Sequence, residues 1–364
     1  MKILILSKAA ESYSVKRLIE EAKERKYDVD TVNPLDLYLY VSETDIDGIF
    51  NKGTRIRRGK VAAIIPRISG ETFQFGLAVI RQFKNLDTFS TASAEGLHNA
   101  SDKFLTTQIL SEKKVLNPKT IIAHKPADYG FLLDKVGGLP AVAKLQRGSK
   151  GLGVFILETP LAASTALESM ATLGSDSVIQ RKIETGEPAS DIRAIVIDGE
   201  VTAAYRRYSL EKDFRSNYSI SGEGEKIELT TAQKNLAIKA ANAVGLKVCG
   251  VDIMEEKKKV GTSWEPTGKN YLIEVNGNPG LYGVETVTGV NVAGAIIDYI
   301  TANLPEADKE RDKAAAYAKE NGYAYVGEQY MYIGRAVELI DVYQKGAKRL
   351  AFQFGSLNYL RELR

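Results

Sequence analysis

The chain is poor in the residues that most often carry covalent or metal chemistry. Its 364 residues include one cysteine, Cys249, two histidines, His98 and His124, and one tryptophan. A lone cysteine excludes an internal disulfide and any cysteine-built zinc site. Its place in the apolar run VCGVDIM reads as inert core. The histidines stand far apart without metal-ligand spacing, which argues against a Ser-His-Asp or Cys-His engine. No run reaches the roughly 18 to 20 apolar residues of a membrane span. The opening MKILILS is too short, and wrongly flanked, for a signal peptide. A cytoplasmic location without membrane contact is therefore expected. Internal repeats and low-complexity segments are absent. So is a strong charge of one sign, because 49 Lys and Arg against 46 Asp and Glu leave only +3. That is too weak to imply nucleic acid without a patch.

What is present suits a soluble globular protein, with 44% hydrophobic and 26% charged residues. The length exceeds one ordinary core and predicts two or three domains. One short basic cluster, Lys52 to Lys60, reads first as a solvated hairpin turn and second as a contact for an acidic protein tail or RNA.

The first hundred residues alternate strand and helix. KILILS is a buried strand, residues 13–26 have helical periodicity, YDVDTVN is a second strand and VAAIIPR a third, followed by a helix over 75–83. This pattern predicts a doubly wound parallel sheet. Arg67 closes the third strand at its carboxyl end, where such sheets place ligands, and is a substrate-contact candidate. A new unit starts near Ser101 and Asp102, either of which can cap a helix running to about Lys113. Strands at 119–124, 141–145 and 177–182 alternate with helices at 127–136 and 160–173. Two strands then flank the tight turn Asp198-Gly199, and a helix spans about 231–244. A strand pair and the closing helix VNVAGAIIDYITANL follow. After Pro305 the composition shifts. EADKERDKAAAYAKE reads as an exposed helix and MYIGRAVELIDVYQKG as an amphipathic one, while the last stretch carries no readable motif. The domain expectation is 1–98, 99–182, 183–304 and a helical C-terminal extension over 305–364.

Strand 141–145 ends in Lys144-Leu-Gln-Arg-Gly148-Ser149-Lys-Gly151-Leu-Gly153. Glycines let backbone N–H groups approach phosphate oxygens, because no Cβ stands in the way. A Walker loop would open a helix. Here an apolar strand follows, so the expectation is a hairpin flap over a nucleotide. A protein-kinase reading fails, because neither an HRD-type catalytic loop nor a DFG is present. Lys144 faces the opposite side of its strand from Ala143 and Leu145, within reach of a phosphate. Lys103 is a second cation candidate, and Arg215, in a loop, offers a planar fork for phosphoryl oxygens.

Asp252 lies in VCGVDIM, and Glu274 and Asn276 in YLIEVNGNPG. Side chains two apart on a strand share a face, so Glu274 and Asn276 project together. Asp252 sits at a similar height on the preceding strand. Three oxygen donors on otherwise apolar strands suit Mg²⁺ or Mn²⁺. The competing reading is a solvated face, or salt bridges to Lys or Arg.

In order, Lys103, Lys144 with GSKGLG, DIR at 191–193, DFRSN at 213–217, GVDIM and EVNGNPG resemble the motifs of the ATP-grasp ligases, and within them the RimK glutamate ligases. The similarity runs from Met1 to about Ala302. It implies an ATP-grasp fold of mixed α and β structure behind the N-terminal parallel-sheet domain. It further implies ATP-dependent amide formation through an acyl phosphate, adding L-glutamate to the C-terminus of a protein such as a small-subunit ribosomal protein. Carried over by position, Lys103 and Lys144 hold nucleotide phosphates under the flap of Gly148, Ser149, Gly151 and Gly153. Gln180, Arg181 and Lys182 run along the adenine. Asp191 binds the nucleoside, and Arg215, Ser216 and Asn217 the triphosphate side. Two metal ions are implied, one on Asp252 and Glu274, the other on Glu274 and Asn276. Arg215 and Lys144 are the residues placed closest to catalysis. Asn278 and Gly280, in the segment 276–282, would shape the acceptor pocket.

The sequence departs from the family where Arg181 and Lys182 replace the usual Glu and aromatic, and where the hairpin from Glu255 to Lys269 is longer than usual. The residues after Pro305 fall outside the resemblance. Two other functions stay open at this point. One is the same chemistry on a small-molecule or peptide acceptor, and the other is a non-catalytic nucleotide- or RNA-binding module. A homo-oligomer is compatible with all three, and RNA would be reached only through an acceptor if the chain is a ligase.

Overall fold

The computed structural model describes residues 1–43, 45–124, 128–145, 153–172, 174, 176–209, 224–304, 316–333, 336–353 and 359–363. In chain order, the N-terminal elements are β1 (Lys2–Leu6), α1 (Tyr13–Glu24), β2 (Asp28–Val32), β3 (Leu37–Tyr40), β4 (Gly48–Asn51), β5 (Thr54–Ile56), β6 (Ala63–Pro66), α2 (Phe73–Asn85) and β7 (Phe89–Ser90). Next come α3 (Ala94–Ser101), α4 (Lys103–Glu112), β8 (Thr120–Ala123), α5 (Tyr129–Val136), β9 (Ala141–Leu145), β10 (Val154–Leu157), α6 (Pro160–Thr172) and β11 (Ser177–Arg181). Then follow β12 (Ser190–Ile197), β13 (Glu200–Tyr208), β14 (Gly224–Lys226), α7 (Thr231–Val244), β15 (Val248–Val260), β16 (Ser263–Asn276), α8 (Leu281–Thr288) and α9 (Val292–Asn303). The last strands are β17 (Ala324–Ile333), β18 (Ala336–Lys345), β19 (Lys348–Gln353) and β20 (Tyr359–Leu363).

The chain forms two compact units. One comprises Met1–Ala10, Ile19–Thr91 and Ile297–Arg364, the other Glu11–Leu18 and Ala92–Ile296. In the first, the apolar run of β1 lies between β2 and β6 in a parallel sheet of order β2-β1-β6-β7. Ile3, Ile5 and Ile64 are fully buried in it, as are Val79 and Phe83 of the covering helix α2. A three-stranded antiparallel sheet, β3-β4-β5, holds much of the basic cluster as a hairpin. Arg55 is forked onto Asp45 at 2.7 and 2.8 Å and onto Asp47 at 2.7 Å. Arg58 pairs with Asp87 and with the Asn85 carbonyl. Local carboxylates therefore neutralise part of the cluster.

The C-terminal extension corrects a sequence expectation. Residues 324–333, 336–345 and 348–353 are strands of an antiparallel sheet, β17-β18-β19-β20, where an amphipathic helix was expected over 331–346. Ile340 and Val342, two apart on β18, are both buried, as one face of a strand requires. Val337, Ile340, Val342 and Tyr343 are β-branched or aromatic and favour a pleated surface. Ala318, Leu350 and Phe352 form its small core with Tyr323 and Tyr343. Of the exposed helix expected over 306–320, residues 316–320 are helical, and residues 305–315 lie outside those described.

The second unit holds two antiparallel sheets. The first has order β10-β9-β11-β8. Its Ala141, Ala143 and Ile179 pack on Leu132, Leu133 and Val136 of α5 and on Leu167 and Met170 of α6. Alternation turns Val142, Lys144, Val178 and Gln180 to the other face. The second sheet has order β14-β13-β12-β15-β16 and is backed by α7. Ile192, Ala194, Val251, Ile253 and Val275 are fully buried at alternate positions. Asp198 (φ 47°) and Gly199 (φ 82°) turn β12 into β13 with positive φ at both central residues, as a two-residue hairpin of this twist requires. Among the described residues no helix is long and apolar enough to cross a membrane.

Candidate functional site

A row of charged residues crosses the second sheet. Arg193 on β12 is the register partner of Asp252 on β15, and Asp252 is that of Glu274 on β16. Directly opposed residues on antiparallel strands share a face with Cβ atoms about 5 Å apart. The two carboxylates therefore stand side by side. Register slips just beyond them, Asp252 pairing with Glu274 but Ile253 with Leu272. Such a bulge re-aims neighbouring side chains and ends regular pairing. Asn276 follows on the same face. Its Oδ1 accepts from the Asn278 N–H at 2.9 Å, which fixes the amide's direction.

Two arginines brace this row. Arg193 is forked onto both oxygens of Asp252, the second at 2.6 Å. Arg207, on β13, is forked onto its register partner Asp191 and also reaches Asp252 at 3.0 Å. Arg207 and Asp191 are buried. Burial alone would raise the Asp252 carboxyl, but the two guanidinium charges overcome it and hold the group at about 2. Asp191 faces the Asp252 charge as well as Arg207, and burial pushes it up. Asp252 thus keeps its charge more firmly than Asp191. Gly250 gives this arrangement room, since a Cβ there would stand 3.1 Å from Arg193 Cδ and 3.2 Å from Pro279 Cβ. The 277–280 loop consequently lies against the face that carries Arg193. Neither arginine was assigned a role from the sequence. Alternation in DIR puts Asp191 and Arg193 on one face of β12, but only the register of β13 on β12 brings Arg207 of YRRY to that face.

Both candidate lysines belong to this unit. Asp102 caps α4 by accepting from the Phe104 and Leu105 N–H groups at 3.0 Å, and so places Lys103 at the helix start. Lys144 projects from β9 on the face opposite Ala143. Burial drives the Lys144 ammonium down to about 8, with Glu274 opposing the shift, Lys103 adding to it and Asp252 opposing it. Burial also lowers Lys103, against the pull of Glu274 and Asp102. Lys144 thus lies within electrostatic reach of Glu274, Lys103 and Asp252, and Lys103 within that of Glu274.

Gln180 is buried on β11 and donates to Thr120 Oγ1 at 2.9 Å. Arg181 lies over the Tyr271 ring and pairs with Glu256 at 2.7 Å, and Lys182 pairs with Glu184 at 2.5 Å. Gly153 closes the base of the β9–β10 hairpin, its carbonyl accepting from the Leu145 N–H at 2.9 Å. Gly148, Ser149 and Gly151 of the flap, and Arg215, Ser216 and Asn217, lie outside the described residues. Gly280 caps α8, whose first N–H, that of Leu281, donates to Ser14 Oγ at 3.0 Å. Arg67 belongs to the other unit. It directly follows β6 and is half-buried, and burial brings its guanidinium down to about 10. Cys249 is buried, its thiol pushed up to about 12, as inert core requires.

Hard oxygen donors in cross-strand register, with a third on the next outward position, fit Mg²⁺ or Mn²⁺. Among the described residues no group of three or more His, Cys, Asp or Glu is placed to hold a metal ion, so the candidate set is two carboxylates and an amide. A lysine-lined sheet joined to a sheet bearing paired carboxylates is the arrangement of an ATP-grasp carbon–nitrogen ligase. The comparisons agree. Residues 100–300 match the RimK-like ATP-grasp domain and residues 1–97 the RimK PreATP-grasp domain, so the chain belongs to the RimK family of ATP-grasp ligases. It is 37% identical over 303 residues to a probable alpha-L-glutamate ligase of Halorhodospira halophila, covering 83% of this chain and 96% of that protein. It is 37% identical over 314 residues to one of Thioalkalivibrio sulfidiphilus, covering 86% and 100%. The fold is shared with the ATP-grasp ligase PsnB complexed with minimal precursor (TM-score 0.63, 20% identity, 83% of this chain and 97% of that one). It is also shared with the D-alanine–D-alanine ligase of Bacillus anthracis complexed with ATP (TM-score 0.57, 20% identity, 85% and 99%).

Proposed function

We propose that the chain uses ATP to join L-glutamate to the C-terminal carboxylate of a protein. The observation that carries this reading is the cross-strand pair Asp252–Glu274 with Lys103 and Lys144 within its field. The acceptor carboxylate attacks the γ-phosphate of ATP, the bond from that phosphorus to the bridging oxygen breaks, and ADP leaves. The amine of glutamate then attacks the acyl phosphate and expels phosphate, giving the amide. Lys144 and Lys103 bind phosphate oxygens and offset their charge. Gln180, Arg181 and Lys182 border the base, and Asp191 the ribose. The flap residues Gly148, Ser149, Gly151 and Gly153 cover the phosphates, with Arg215, Ser216 and Asn217 on the triphosphate side. Asp252, Glu274 and Asn276 would hold two divalent ions, which supply charge neutralisation at the transferring phosphoryl group. Asn278 and Gly280 border the acceptor. The chemistry needs positioning and electrostatics rather than a nucleophile, which agrees with so few histidines and cysteines. The working division is 1–98 as N-terminal domain, 99–182 as lid with its flap, 183–304 as metal-bearing subdomain and 305–364 as an appended sheet.

The test is incubation with ATP, Mg²⁺, pooled amino acids and candidate acceptor proteins, followed by mass spectrometry for species that gain the mass of a glutamyl residue. Gains confined to small carboxylates would transfer the same chemistry to a small-molecule acceptor. Substantial phosphate release by Asp252→Ala or Glu274→Ala, with both substrates present, would overturn the assignment of the metal-holding pair.

A further inference from the structure

The sheet that carries Lys144 is joined to the rest of its unit by two segments, residues 113–119 ahead of β8 and 182–189 after β11. Both segments are fastened to the same hairpin, β15–β16. In the first, the Leu116 carbonyl accepts from the Leu272 N–H of β16 at 2.8 Å. In the second, the Glu184 carbonyl accepts from the Lys257 N–H of β15 at 2.8 Å. Gly186 lies against the hairpin as well, since a Cβ there would meet Lys257 Cδ and Trp264 Cγ at 3.5 Å. The Arg181 N–H donates to the Lys119 carbonyl at 2.9 Å and so ties one segment to the other.

The side chain of Arg181, the last residue of β11, adds a charged fastener. Its guanidinium donates to Glu256 at 2.7 Å and to the Tyr271 hydroxyl at 3.1 Å. Glu256 is buried, and Thr267 donates to its other oxygen at 2.9 Å. The strands that hold all these anchors are the ones that hold Asp252 and Glu274. One ladder of backbone hydrogen bonds therefore runs from the carboxylate pair to both segments that carry the lysine's sheet.

We propose that the β15–β16 hairpin is a mount that fixes how far Lys144 stands from the Asp252–Glu274 pair, with Arg181 and Glu256 as positioning residues for the nucleotide's phosphates. This rests on the ligase reading above, in which the phosphates lie between that lysine and the ions held by the pair. A group gripped from two sides is sensitive to the gap, and a misplacement of about 1 Å can cost about a hundredfold in a positioned reaction. Glu256 acts through Arg181 and touches no substrate. The role belongs to the Arg181 side chain and leaves its backbone to border the base.

Calorimetric titration of the full-length protein with a non-hydrolysable ATP analogue and Mg²⁺ tests the mount without turnover. Glu256→Ala should weaken binding about tenfold, within the range of couplings between linked groups. In a Lys144→Ala background the same change should cost less than about twofold, because the lysine whose place the mount sets is gone. Glu256→Gln, which keeps an acceptor for Arg181, should restore most of the affinity. Trp264→Ala loosens the Gly186 contact without stranding a buried charge. It should show the same dependence on Lys144 with a smaller loss, and it decides the question if Glu256→Ala does not fold. Equal losses with and without Lys144 would place the effect at the base edge and overturn the mount, as would unchanged affinity in both variants. Wild type that shows the expected pattern but never ligates refutes the ligase reading alone.

Discussion

Arg207→Ala removes a side chain that is ion-paired to both Asp191 and Asp252. The Arg207 side chain is 6% exposed, and those of its partners are 9% and 8%. Solvent therefore cannot replace it. Deleting one member of a buried ion-paired set costs about 3–5 kcal/mol, because a carboxylate is left buried without a counter-charge. At about 2–4 °C per kcal/mol for a unit of roughly 200 residues, the melting temperature should fall by about 6–20 °C. The cause has its own signature in pH. Without Arg207, the folded-state pKa of Asp191, already pushed up by burial, rises further above the unfolded value of about 3.9. A group raised in this way favours the folded state below its unfolded pKa, and that advantage is lost as pH climbs through the folded value. The deficit of the variant against wild type should therefore be smaller at pH 5 than at pH 8. Differential scanning calorimetry of both proteins at the two pH values measures it. A loss below about 1 kcal/mol, or one independent of pH, would refute the argument, since a packing defect has no such dependence.

Two further outcomes follow from single positions. Gly153 has φ of +75°, and a Cβ there would sit 2.4 Å from Leu145 Cδ1. Gly153→Ala should cost about 1–2 kcal/mol locally. Amide exchange at Leu145 and Val154 should quicken while the global melting point moves little, and unchanged exchange would contradict the strain. Lys144, with its ammonium at about 8, should lose its charge as pH rises through that value. Nucleotide affinity, measured by calorimetry from pH 7 to pH 9, should decline in wild type and stay level in Lys144→Arg. A flat wild-type profile would remove Lys144 from the phosphate contacts.

Much of this architecture was legible in residue order because local signals and tertiary demands agree. The parallel sheet of β1, β2 and β6 follows from apolar runs separated by one amphipathic helix, and Asp102 caps α4 as the sequence suggests. The pairing of Asp252 with Glu274 was legible because a period of two fixes the face and a hairpin fixes the height. What sequence could not show was the counter-charge. Arg193 and Arg207 reach Asp252 only through the register of β13 on β12 and of β12 on β15, which no local pattern encodes. The appended sheet was misread for a related reason. GRAVELIDVYQKG offers apolar residues at both helical and strand spacings. Cross-strand pairing of β18 with β17 and β19 decided between them.

Arg181 and the long β15–β16 hairpin, the two features that the resemblance implies are departures from the family pattern, are parts of one device. The register slips between Glu255 and Lys257, opposite an excursion of β16 around Gly268. Glu256, buried at this slip, receives Arg181 on one oxygen and Thr267 on the other at 2.9 Å. Tyr271 lies beneath the guanidinium at 5.7 Å and donor contact to its hydroxyl is 3.1 Å. The hairpin is anchored again where the Lys257 N–H donates to the Glu184 carbonyl at 2.8 Å. The extra length thus supplies the partner that a cation at 181 requires. Restoring the family's acidic residue alone should consequently harm this chain. Arg181→Glu would set two carboxylates against each other at a site where Glu256 is 10% exposed and Arg181 40%. Partial exposure of Arg181 keeps the loss to about 1–2 kcal/mol. Exchanging the pair, Arg181→Glu with Glu256→Arg, should recover part of it, with a coupling energy of about 1 kcal/mol in a double-mutant cycle. Additive losses in that cycle would show that the two departures arose independently and that Glu256 is held by Thr267 alone.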